Sequence, residues 1–430
     1  MSGVTAGDTV NSDIPQQTPR TDPPRQRTSS LPVVAMVGGG QLARMTHQAA
    51  IELGQTLRVL AAGENDPAAR VSADVVLGEH TDLAALRAVA AGADALTFDH
   101  EHVPTEHLDV LVAEGVNVQP PPEALIFAQD KLRMRVRLRE LGLPVPDFTE
   151  VASVEDVVTF GDAHDWRIVI KAVRGGYDGR GVWMPDDADE ARTVVSDQLA
   201  AGVPLMAEQR VDMARELSAM VARSPFGQGA TWPVVETVQR SGQCAVVIAP
   251  APGLSEDLAA DAEHIALRVA SELGVVGVMA VELFEKVDGT LSINELAMRP
   301  HNSGHWTQDG ARTSQFEQHL RAVLDYPLGD CAPLAPVSVM ANVLGAEEQP
   351  SSTMDERVHH LFARMPDAKV HLYDKGERKG RKIGHVNIVG PRNGSASDAE
   401  HVAEVRERAE RAAHWLSHGV WTDGWDPHHG

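Results

Sequence analysis

The sequence has little cysteine and no long apolar run. Its 430 residues include only two cysteines, Cys244 and Cys331, which occur far apart and so argue against a disulfide framework or a zinc site. No apolar run approaches the roughly 20 residues of a membrane-spanning helix, and no hydrophobic signal core follows the N-terminus. These absences predict a protein of the reducing cytoplasm that has no membrane partner and keeps its cysteines as core residues.

Basic residues are scarce relative to acidic ones. The chain has 38 Lys and Arg against 61 Asp and Glu, a formal charge of −23, which argues against a general nucleic-acid binder because phosphate backbones are held by net basic surfaces. Small anions can still bind local basic clusters. With 43% hydrophobic residues, the chain is long enough to form two or three cored domains.

The pattern along the chain divides it into five parts. Residues 1–30 are rich in Pro, Thr, Ser and Gln without apolar periodicity, which predicts a disordered extension. Residues 31–130 alternate strand-like runs with helical stretches, which predicts a parallel α/β domain. Residues 131–330 begin with a helix and a proline-containing linker and are then dominated by strands. Residues 331–420 mix strands with a terminal helix, and 421–430 form a tail, so the fold class is α/β followed by α+β.

Individual elements follow from periodicity and capping signals. Strands are predicted at 33–37, 56–60, 94–98 and 116–118. A first helix is predicted to run through Leu53 and to be closed by Gly54. Further helices are predicted at 82–91, 131–141, 255–273, 314–324 and 397–417. Between residue 168 and the last block, only the helices at 255–273 and 314–324 are expected to be strong.

Three glycines follow the first strand in VGGGQLARM. The dinucleotide fingerprint is not met, because the third glycine spacing is missing and Glu64 lies in a Gly-Glu-Asn turn after the second strand. A strand-to-helix turn can also present N–H groups to a phosphate. Three interpretations therefore stay open here: a nicotinamide-dinucleotide site, a phosphate-binding turn, and a tight turn without a ligand.

A second glycine-rich segment, KAVRGGYDGRGVWM from Lys171 to Met184, combines four glycines with a lysine and two arginines. It is flanked by apolar runs that are typical of strands. A hairpin needs only one or two residues of positive φ. Backbone freedom together with positive charge indicates a loop that lies against a polyanion.

The segment VMAVELFEKVDGTLSINELAMRPHNSGH contains Asp-Gly, the preferred pair for a two-residue hairpin turn. Counting outward from that turn places Glu282 opposite Glu295 and puts Phe284 and Ile293 on one face. Like charges opposed in a sheet are unfavourable, and burial raises the cost. A hard cation such as magnesium between the two carboxylates explains the pair, and a solvent-facing pair is the alternative.

These features together indicate a nucleoside triphosphate site that is not a P-loop, since GxxxxGK[ST] is absent. The stretches GGGQLARM, DHEHVP, QDK, GGYDGRG, AEQ, INELAMRPHNSGHWTQDGARTSQFEQHLRA and GRKIGHVN resemble, in order from about residue 33 to 388, those of the ATP-grasp enzymes. Within these, the chain resembles the 5-(carboxyamino)imidazole ribonucleotide synthase family of purine biosynthesis.

The resemblance implies an N-terminal pre-ATP-grasp domain, a central ATP-grasp domain with a lid at about 145–215, and a small C-terminal domain. It implies an ATP-dependent ligase that carboxylates 5-aminoimidazole ribonucleotide with bicarbonate through carboxyphosphate. Mg²⁺, or Mn²⁺, is the implied metal. A cytoplasmic homodimer is implied, with functional coupling to the downstream mutase as a further expectation.

The resemblance also implies site residues. ATP-binding positions are Lys131, Lys171, Gly176, Tyr177, Asp178, Gly179, Arg180, Gly181, Val182, Glu208, Gln209, Arg210, Val211, Glu216, Gln239, Asn294 and Glu295. Catalytic positions, which include the expected bicarbonate site, are Arg299, His301, Asn302, Tyr177, Asp178 and Lys375. Positions that bind the ribonucleotide are Gln41, Leu42, Glu101, Lys375, Arg381 and Lys382, and the metal ligands are Glu282 and Glu295.

Several alternatives remain at this stage. Lys131 could merely decorate a helix start, and Glu101 could be a solvated turn residue. The family commonly has Asn-x-His where this chain has Thr237 and Gln239, and glutamine can donate a hydrogen bond but cannot become cationic. A formate-dependent glycinamide ribonucleotide transformylase is the enzymatic rival, which HNSGHW and GRKIGH argue against. A non-catalytic ATP-binding module is the other.

Overall fold

The structure is a computed structural model that describes residues 30–176, 181–391, 393–394 and 398–425. The predicted N-terminal extension, apart from Ser30, lies outside the described residues. So do residues 177–180 of the basic glycine loop and the last five residues of the predicted tail. Within the described part of the chain, no helix has the length and apolar character needed to cross a bilayer.

The N-terminal part is a parallel sheet in the order β3-β2-β1-β4, as predicted from the alternating pattern. Its strands are β1 (Val33–Val37), β2 (Thr56–Ala61), β3 (Asp74–Leu77) and β4 (Ala95–Phe98), and its helices are α1 (Gln41–Glu52), α2 (Leu83–Ala90), α3 (Thr105–Ala113) and α4 (Pro122–Gln129). The predicted strand at 116–118 is wrong, because only Val118 bridges Leu96. The edge strand β3 was not predicted, since it is short and all four of its residues are only half-buried.

Helix α5 (Lys131–Glu140) leads into a small antiparallel sheet in the order β5-β8-β6-β7. This lid sheet contains β5 (Phe148–Val151), β6 (Ile168–Ala172), β7 (Val182–Trp183) and β8 (Leu205–Gln209), and it carries α6 (Val154–Ala163) and α7 (Ala188–Ala200). Helix α7 contradicts the expectation of only two strong helices in this region. Its fully buried residues are Ala191 and Val195 alone, so its apolar stripe is too narrow to dominate the pattern.

A large antiparallel sheet joins the central and C-terminal parts in the order β14-β13-β9-β11-β12-β15-β17-β16, with β10 beside β9. Its strands are β9 (Met213–Arg223), β10 (Gly229–Thr231), β11 (Val235–Arg240), β12 (Gln243–Ala249), β13 (Gly277–Lys286), β14 (Leu291–Ala297), β15 (Ser338–Leu344), β16 (Lys369–Leu372) and β17 (Lys382–Val389). The associated helices are α8 (Glu256–Glu272), α9 (Thr307–Gly310), α10 (Gln315–Val323), α11 (Met354–Arg364) and α12 (Ala399–His418). Because β12 pairs with β15, the C-terminal strands continue the central sheet.

One apolar core connects the N-terminal sheet to the hairpin of β13 and β14. Val37 and Phe98, which end β1 and β4, belong to the same buried cluster as Met134 of α5, Val281 of β13 and Ile293 of β14. This packing brings the loops that follow the parallel strands close to the hairpin. The predicted substrate and metal residues therefore share one region of the molecule.

Candidate functional site

The hairpin of β13 and β14 places Glu282 directly opposite Glu295, which confirms the predicted pair. The predicted loop length and the predicted regular pairing between the loop and this pair were both wrong. The loop has three residues rather than two, because Gly289, at φ +79°, donates to Lys286 and the N–H of Lys286 donates to Thr290. The shift is compensated by a bulge at Asn294, which has no partner between the pairs Leu283↔Ile293 and Glu282↔Glu295.

The bulge also changes which side chains share a face of the hairpin. Phe284 pairs with Ser292 rather than with Ile293, so the predicted apolar pair beside the carboxylates is wrong. Ile293 is fully buried opposite Leu283 in the core beneath the hairpin. The two carboxylates are each half-buried and are therefore not freely solvated.

A basic side chain lies beside each carboxylate of the hairpin. Lys131 Nζ lies 3.6 Å from Glu295 Oε1, and His301 Nε2 lies 3.3 Å from Glu282 Oε1. Burial, reinforced by the neighbouring charge of Glu282, raises the pKa of Glu295 despite the attraction of Lys131. The ionised form of Glu295 is thus under-compensated by the protein, which is the condition that a cation would relieve.

The donor set of the hairpin consists of oxygen ligands. The described residues contain no group of three or more His, Cys, Asp or Glu side chains placed to hold a metal ion. Mg²⁺, however, is commonly bound by one or two carboxylates and completes its shell with substrate phosphates and water. The pair of Glu282 and Glu295, with the amide oxygen of Asn294 beside it, fits that requirement.

Lys171 is the second-last residue of strand β6 and points from the lid sheet toward the hairpin. Its Nζ donates to Asn294 Oδ1 at 3.4 Å and forms an ion pair with Glu208 of the neighbouring strand β8. Glu208 also accepts from Arg135 Nε at 2.9 Å. Burial raises the pKa of Glu208, but the charges and hydrogen bonds of Lys171 and Arg135 outweigh it and keep the pKa below its ordinary value.

Lys131 occupies the first position of α5, yet it does more than begin a helix. Its side chain is only 14% exposed and also donates to the backbone oxygen of Gly176 at 3.3 Å. The amine therefore connects the hairpin carboxylate to the start of the basic glycine loop. Tyr177, Asp178, Gly179 and Arg180, which were predicted to cover the nucleotide, lie outside the described residues.

The segment after the glycine loop pairs back onto the lid sheet. Val182 is opposite Lys171, and Gly181 adopts φ +69° with its oxygen accepting from the N–H of Ala172. At the other end of the lid, Gln209 is exposed and its N–H donates to Asp147. Arg210 and Val211 follow as exposed and half-buried linker residues between the lid and β9.

Glu216 of β9 and Gln239 of β11 form a polar pair on the large sheet. Gln239 Nε2 donates to Glu216 Oε2 at 3.0 Å, while Thr237 is the register partner of Glu216. Burial raises the pKa of Glu216, and the charge of Glu282 adds to the effect. The glutamine that departs from the family pattern thus contacts the predicted ribose-binding carboxylate.

Arg299 follows β14 and is paired with Glu101 across 198 residues of sequence, with Arg299 Nε 2.8 Å from Glu101 Oε2. Glu101 is 9% exposed, which excludes the interpretation as a solvated turn residue. The side chain of Gln315 holds the backbone of His301, accepting from its N–H at 2.7 Å and donating to its oxygen at 2.8 Å. Asn302 follows in a short 3₁₀ turn (Asn302–Gly304).

The remaining predicted substrate residues meet between the N-terminal and C-terminal parts. Lys375 Nζ donates to Gln41 Oε1 across 334 residues of sequence, and Leu42 is buried beside Gln41 on α1. Burial, together with the charges of Arg381 and Lys382, lowers the pKa of Lys375 to about 8. Lys375 therefore reaches the start of α1, and Arg381 and Lys382 lie near enough to Lys375 for their charges to act on it.

The glycines of the turn after β1 are required by contacts within the protein, chiefly with Asp99. Gly40 N–H donates to Asp99 Oδ2 at 2.7 Å, and a Cβ on Gly38 would lie 1.9 Å from Asp99 Oδ1. Gly38 N–H donates to the oxygen of Leu60. Two of the amide donors expected for a phosphate are thus used internally, which favours the tight turn over a nucleotide-binding turn.

Sequence reasoning missed Asp99, Arg135 and Gln315. Asp99 is buried, and burial raises its pKa to about 6. Its position directly after β4, next to a glycine turn, was an available signal. Arg135 lies on a helix without a motif. Gln315 lies within the stretch that resembles the family, but its contact with the backbone of His301 depends on tertiary packing.

Family models match three successive parts of the chain. They are described as a ribonucleotide synthetase preATP-grasp domain at residues 31–129, an ATP-grasp domain at 136–316 and a phosphoribosylaminoimidazole carboxylase C-terminal domain at 338–399.

Several similar proteins are named N5-carboxyaminoimidazole ribonucleotide synthase or synthetase. The N5-carboxyaminoimidazole ribonucleotide synthase of Mycobacterium leprae is 65% identical over 416 residues, 94% of each chain. Among solved structures, the N5-carboxyaminoimidazole ribonucleotide synthetase of Thermus thermophilus is 35% identical, with a TM-score of 0.77 over 91% of this chain and 100% of that one. The Aspergillus clavatus synthase in complex with ADP and 5-aminoimidazole ribonucleotide is 29% identical, with a TM-score of 0.78 over 89% and 99% of the chains. The chain therefore belongs to the N5-carboxyaminoimidazole ribonucleotide synthase family, whose members are ATP-dependent ligases of the ATP-grasp type.

Proposed function

We propose that this protein uses ATP and bicarbonate to carboxylate the exocyclic amine of 5-aminoimidazole ribonucleotide, forming N5-carboxyaminoimidazole ribonucleotide, ADP and phosphate in purine biosynthesis. The observation that carries the proposal is the pair of Glu282 and Glu295, which lies between two groups of basic side chains. Lys131 and Lys171 lie on the lid side of the hairpin, and Arg299 with His301 lies on the side of the N-terminal sheet.

ATP is assigned to the lid side. Lys131 and Lys171 hold the phosphates beneath the glycine loop, and Glu216, supported by Gln239, takes the ribose hydroxyls. The side chain of Glu208 is occupied by Lys171 and Arg135, so the adenine is left to the linker that follows β8. Further ATP contacts are assigned to Gly176, Tyr177, Asp178, Gly179, Arg180, Gly181, Val182, Gln209, Arg210, Val211 and Asn294.

Magnesium, with manganese as a substitute, is assigned to Glu282, Glu295 and the adjacent Asn294. When bound there, it neutralises the charge that develops on the transferring phosphoryl group. The protein's own contribution is to keep two half-buried carboxylates opposed. Strand pairing on both sides of β13 fixes that arrangement, because Glu282 pairs with Glu295 on one side and Ser218 on the other.

Bicarbonate and the ribonucleotide amine are assigned to the opposite side. Arg299, oriented by Glu101, and His301, oriented by Gln315, hold the bicarbonate while it attacks the γ-phosphorus to give carboxyphosphate. The amine then attacks the carboxyl carbon of carboxyphosphate, so that the bond from this carbon to the phosphate oxygen breaks, phosphate leaves and the amine loses a proton. Catalysis is therefore positioning and charge stabilisation without a protein nucleophile.

The ribonucleotide itself is assigned to the cleft at the start of α1. Gln41, Leu42 and Glu101 hold its ribose and base, and Lys375, Arg381 and Lys382 bind its phosphate. Lys375 is half-buried and contacts Gln41. A cationic cluster at this place accounts for phosphate recognition by a chain whose formal charge is −23.

Assembly, location and context complete the proposal. We assign a pre-ATP-grasp domain to residues 31–130, an ATP-grasp domain with its lid to 131–330 and a C-terminal domain to 331–420. The enzyme is a cytoplasmic homodimer that hands a labile carbamate to the downstream mutase. Cys244 and Cys331 are free thiols, in agreement with a reducing compartment.

The test is the release of phosphate from MgATP, with bicarbonate present, across candidate ribonucleotide amines. Release is expected to be stimulated strongly by 5-aminoimidazole ribonucleotide and hardly by glycinamide ribonucleotide with formate. The reverse preference would establish the transformylase instead. Nucleotide binding without stimulation by either amine would indicate the non-catalytic module.

A further inference from the structure

Arg135 is a charged residue in a place where charges are rarely found. Its side chain is 1% exposed, it lies on the inner face of α5, and it carries none of the motifs that identify the site. A guanidinium is almost never fully buried without a partner, since removing it from water costs several kcal/mol. Its Nε and Nη2 both lie 2.9 Å from Glu208 Oε2.

Glu208 is shared between two cations. One carboxylate oxygen accepts from Arg135, and the other accepts from Lys171, whose side chain is 12% exposed against 4% for Glu208. Two positive charges thus face one negative charge in a volume that water hardly screens. The next carboxylate, Glu295, pairs with Lys131. Counting this pair together with Arg135, Lys171 and Glu208 still leaves one more positive charge than negative.

The excess charge has no other partner among the described residues around Arg135. Its Nη1 is buried and makes no hydrogen bond there. An excess buried cation is unfavourable unless an anion arrives to compensate it. The end of the cluster that points out of the interior is Lys171, which reaches the hairpin at Asn294.

The cluster also connects two bodies of the fold. Arg135 lies on α5, whose Met134 and Leu138 belong to the core shared with the hairpin, whereas Lys171 and Glu208 lie on β6 and β8 of the lid sheet. The ion pairs therefore hold the phosphate-facing lysine of the lid at a defined position relative to α5.

We propose that Arg135 is a positioning residue for the nucleotide. Because Arg135 shares the negative charge of Glu208 with Lys171, the carboxylate holds Lys171 in place but neutralises it only in part. The positive charge that remains on Lys171 can then attract the polyphosphate. This inference rests on the proposed role of Lys171 in ATP binding. Without Arg135, Lys171 and Glu208 form a neutral pair. The lysine remains in the site but loses most of its attraction for an anion.

Titration calorimetry with MgADP, in the absence of bicarbonate and amine, tests this directly. Arg135→Met is expected to raise the Kd at least about tenfold and to flatten its dependence on salt, because one charge that acts on the ligand is lost. Arg135→Lys should restore most of the affinity. The matched control is Arg137→Met on the same helix, which should bind as the wild type does. The side chain of Arg137 is 37% exposed and pairs with Glu140 at 3.4 Å.

A second variant of Arg135 and a comparison with phosphate release keep the test decisive. If Arg135→Met does not fold, Arg135→Gln keeps a donor for Glu208 without the charge and is expected to show the same loss of affinity and salt dependence. Wild-type affinity in a folded Met or Gln variant would overturn the inference. That outcome is distinct from failure of the proposed function, in which the wild-type protein binds MgADP normally but no ribonucleotide amine stimulates phosphate release.

Discussion

Replacing Glu295 with Gln separates a metal-binding role from a structural role for the hairpin carboxylates. The substitution removes one charge from a pair that stands directly opposed with Glu282. Because the pKa of Glu295 is raised by burial and by its neighbour, the ionised form is less favourable in the folded chain than in the unfolded one. Neutralising Glu295 at pH 7 should therefore leave the metal-free protein as stable as before or slightly more so.

The expected shifts follow from the size of the chain. For 430 residues, an unfolding entropy of about 2.1 cal/mol/K per residue gives about 0.9 kcal/mol/K in total. Relief of an opposed like-charge pair is worth up to ~1 kcal/mol, so the Tm should rise by about 1 °C at most. MgATP at about 100 times its Kd stabilises by about 2.7 kcal/mol, or about 3 °C for the wild type. A Kd raised about 100-fold leaves only about 0.4 kcal/mol of that gain.

Thermal melts with and without MgATP, together with turnover, measure these shifts. Asp288→Asn is the matched control, since it neutralises an exposed carboxylate at the turn of the same hairpin and asparagine, like aspartate, is favoured in turns. It should keep the full MgATP shift. A Glu295→Gln protein that melts several degrees lower without metal, yet turns over normally, would show that the carboxylates are structural.

Two further predictions concern the ribonucleotide side of the site. Gly38→Ala should lower the Tm by several degrees and abolish stimulation by the amine, because its Cβ would lie 1.9 Å from Asp99 Oδ1. Gly115→Ala controls for backbone strain, since Gly115 has a similar positive φ but nothing within 4 Å of the added Cβ. Equal Tm values of the two variants would contradict the steric argument. The pKa of Lys375 is lowered to about 8, chiefly by burial, so the lysine is cationic at pH 7 and neutral well above pH 8. The KM for the aminoimidazole ribonucleotide should accordingly be constant below pH 7 and rise above pH 8, and Lys375→Arg should move that rise to higher pH; a KM that stays constant through pH 9.5 would exclude the lysine from phosphate binding.

Much of the fold could be predicted because local signals are strong where helices and strands repeat regularly. Helix α5 and strand β1 were placed within a residue of their observed bounds. The pair of Glu282 and Glu295 was also predicted, although a turn that is one residue longer and a bulge at Asn294 offset each other. Neither deviation has a sequence signal of its own, because both depend on how β13 packs between β9 and β14.

The partners of the site residues could not be predicted. Arg299 meets Glu101 across 198 residues and Lys375 meets Gln41 across 334, and no spacing rule connects positions that only tertiary packing brings together. The same holds for Arg135, which occupies an ordinary helical position until β8 places Glu208 against it. Motifs identified which residues carry the chemistry, whereas the structure identifies the residues that orient them.

The most direct measurement is carbon-13 NMR of a reaction that contains the protein, MgATP, 5-aminoimidazole ribonucleotide and labelled bicarbonate. We expect a labelled carbamate carbon on the exocyclic amine, formed with one equivalent of ADP and of phosphate, and no labelled carbamate when ATP is omitted. Label on a ring carbon, or ADP formed without any labelled carbamate, would contradict this expectation.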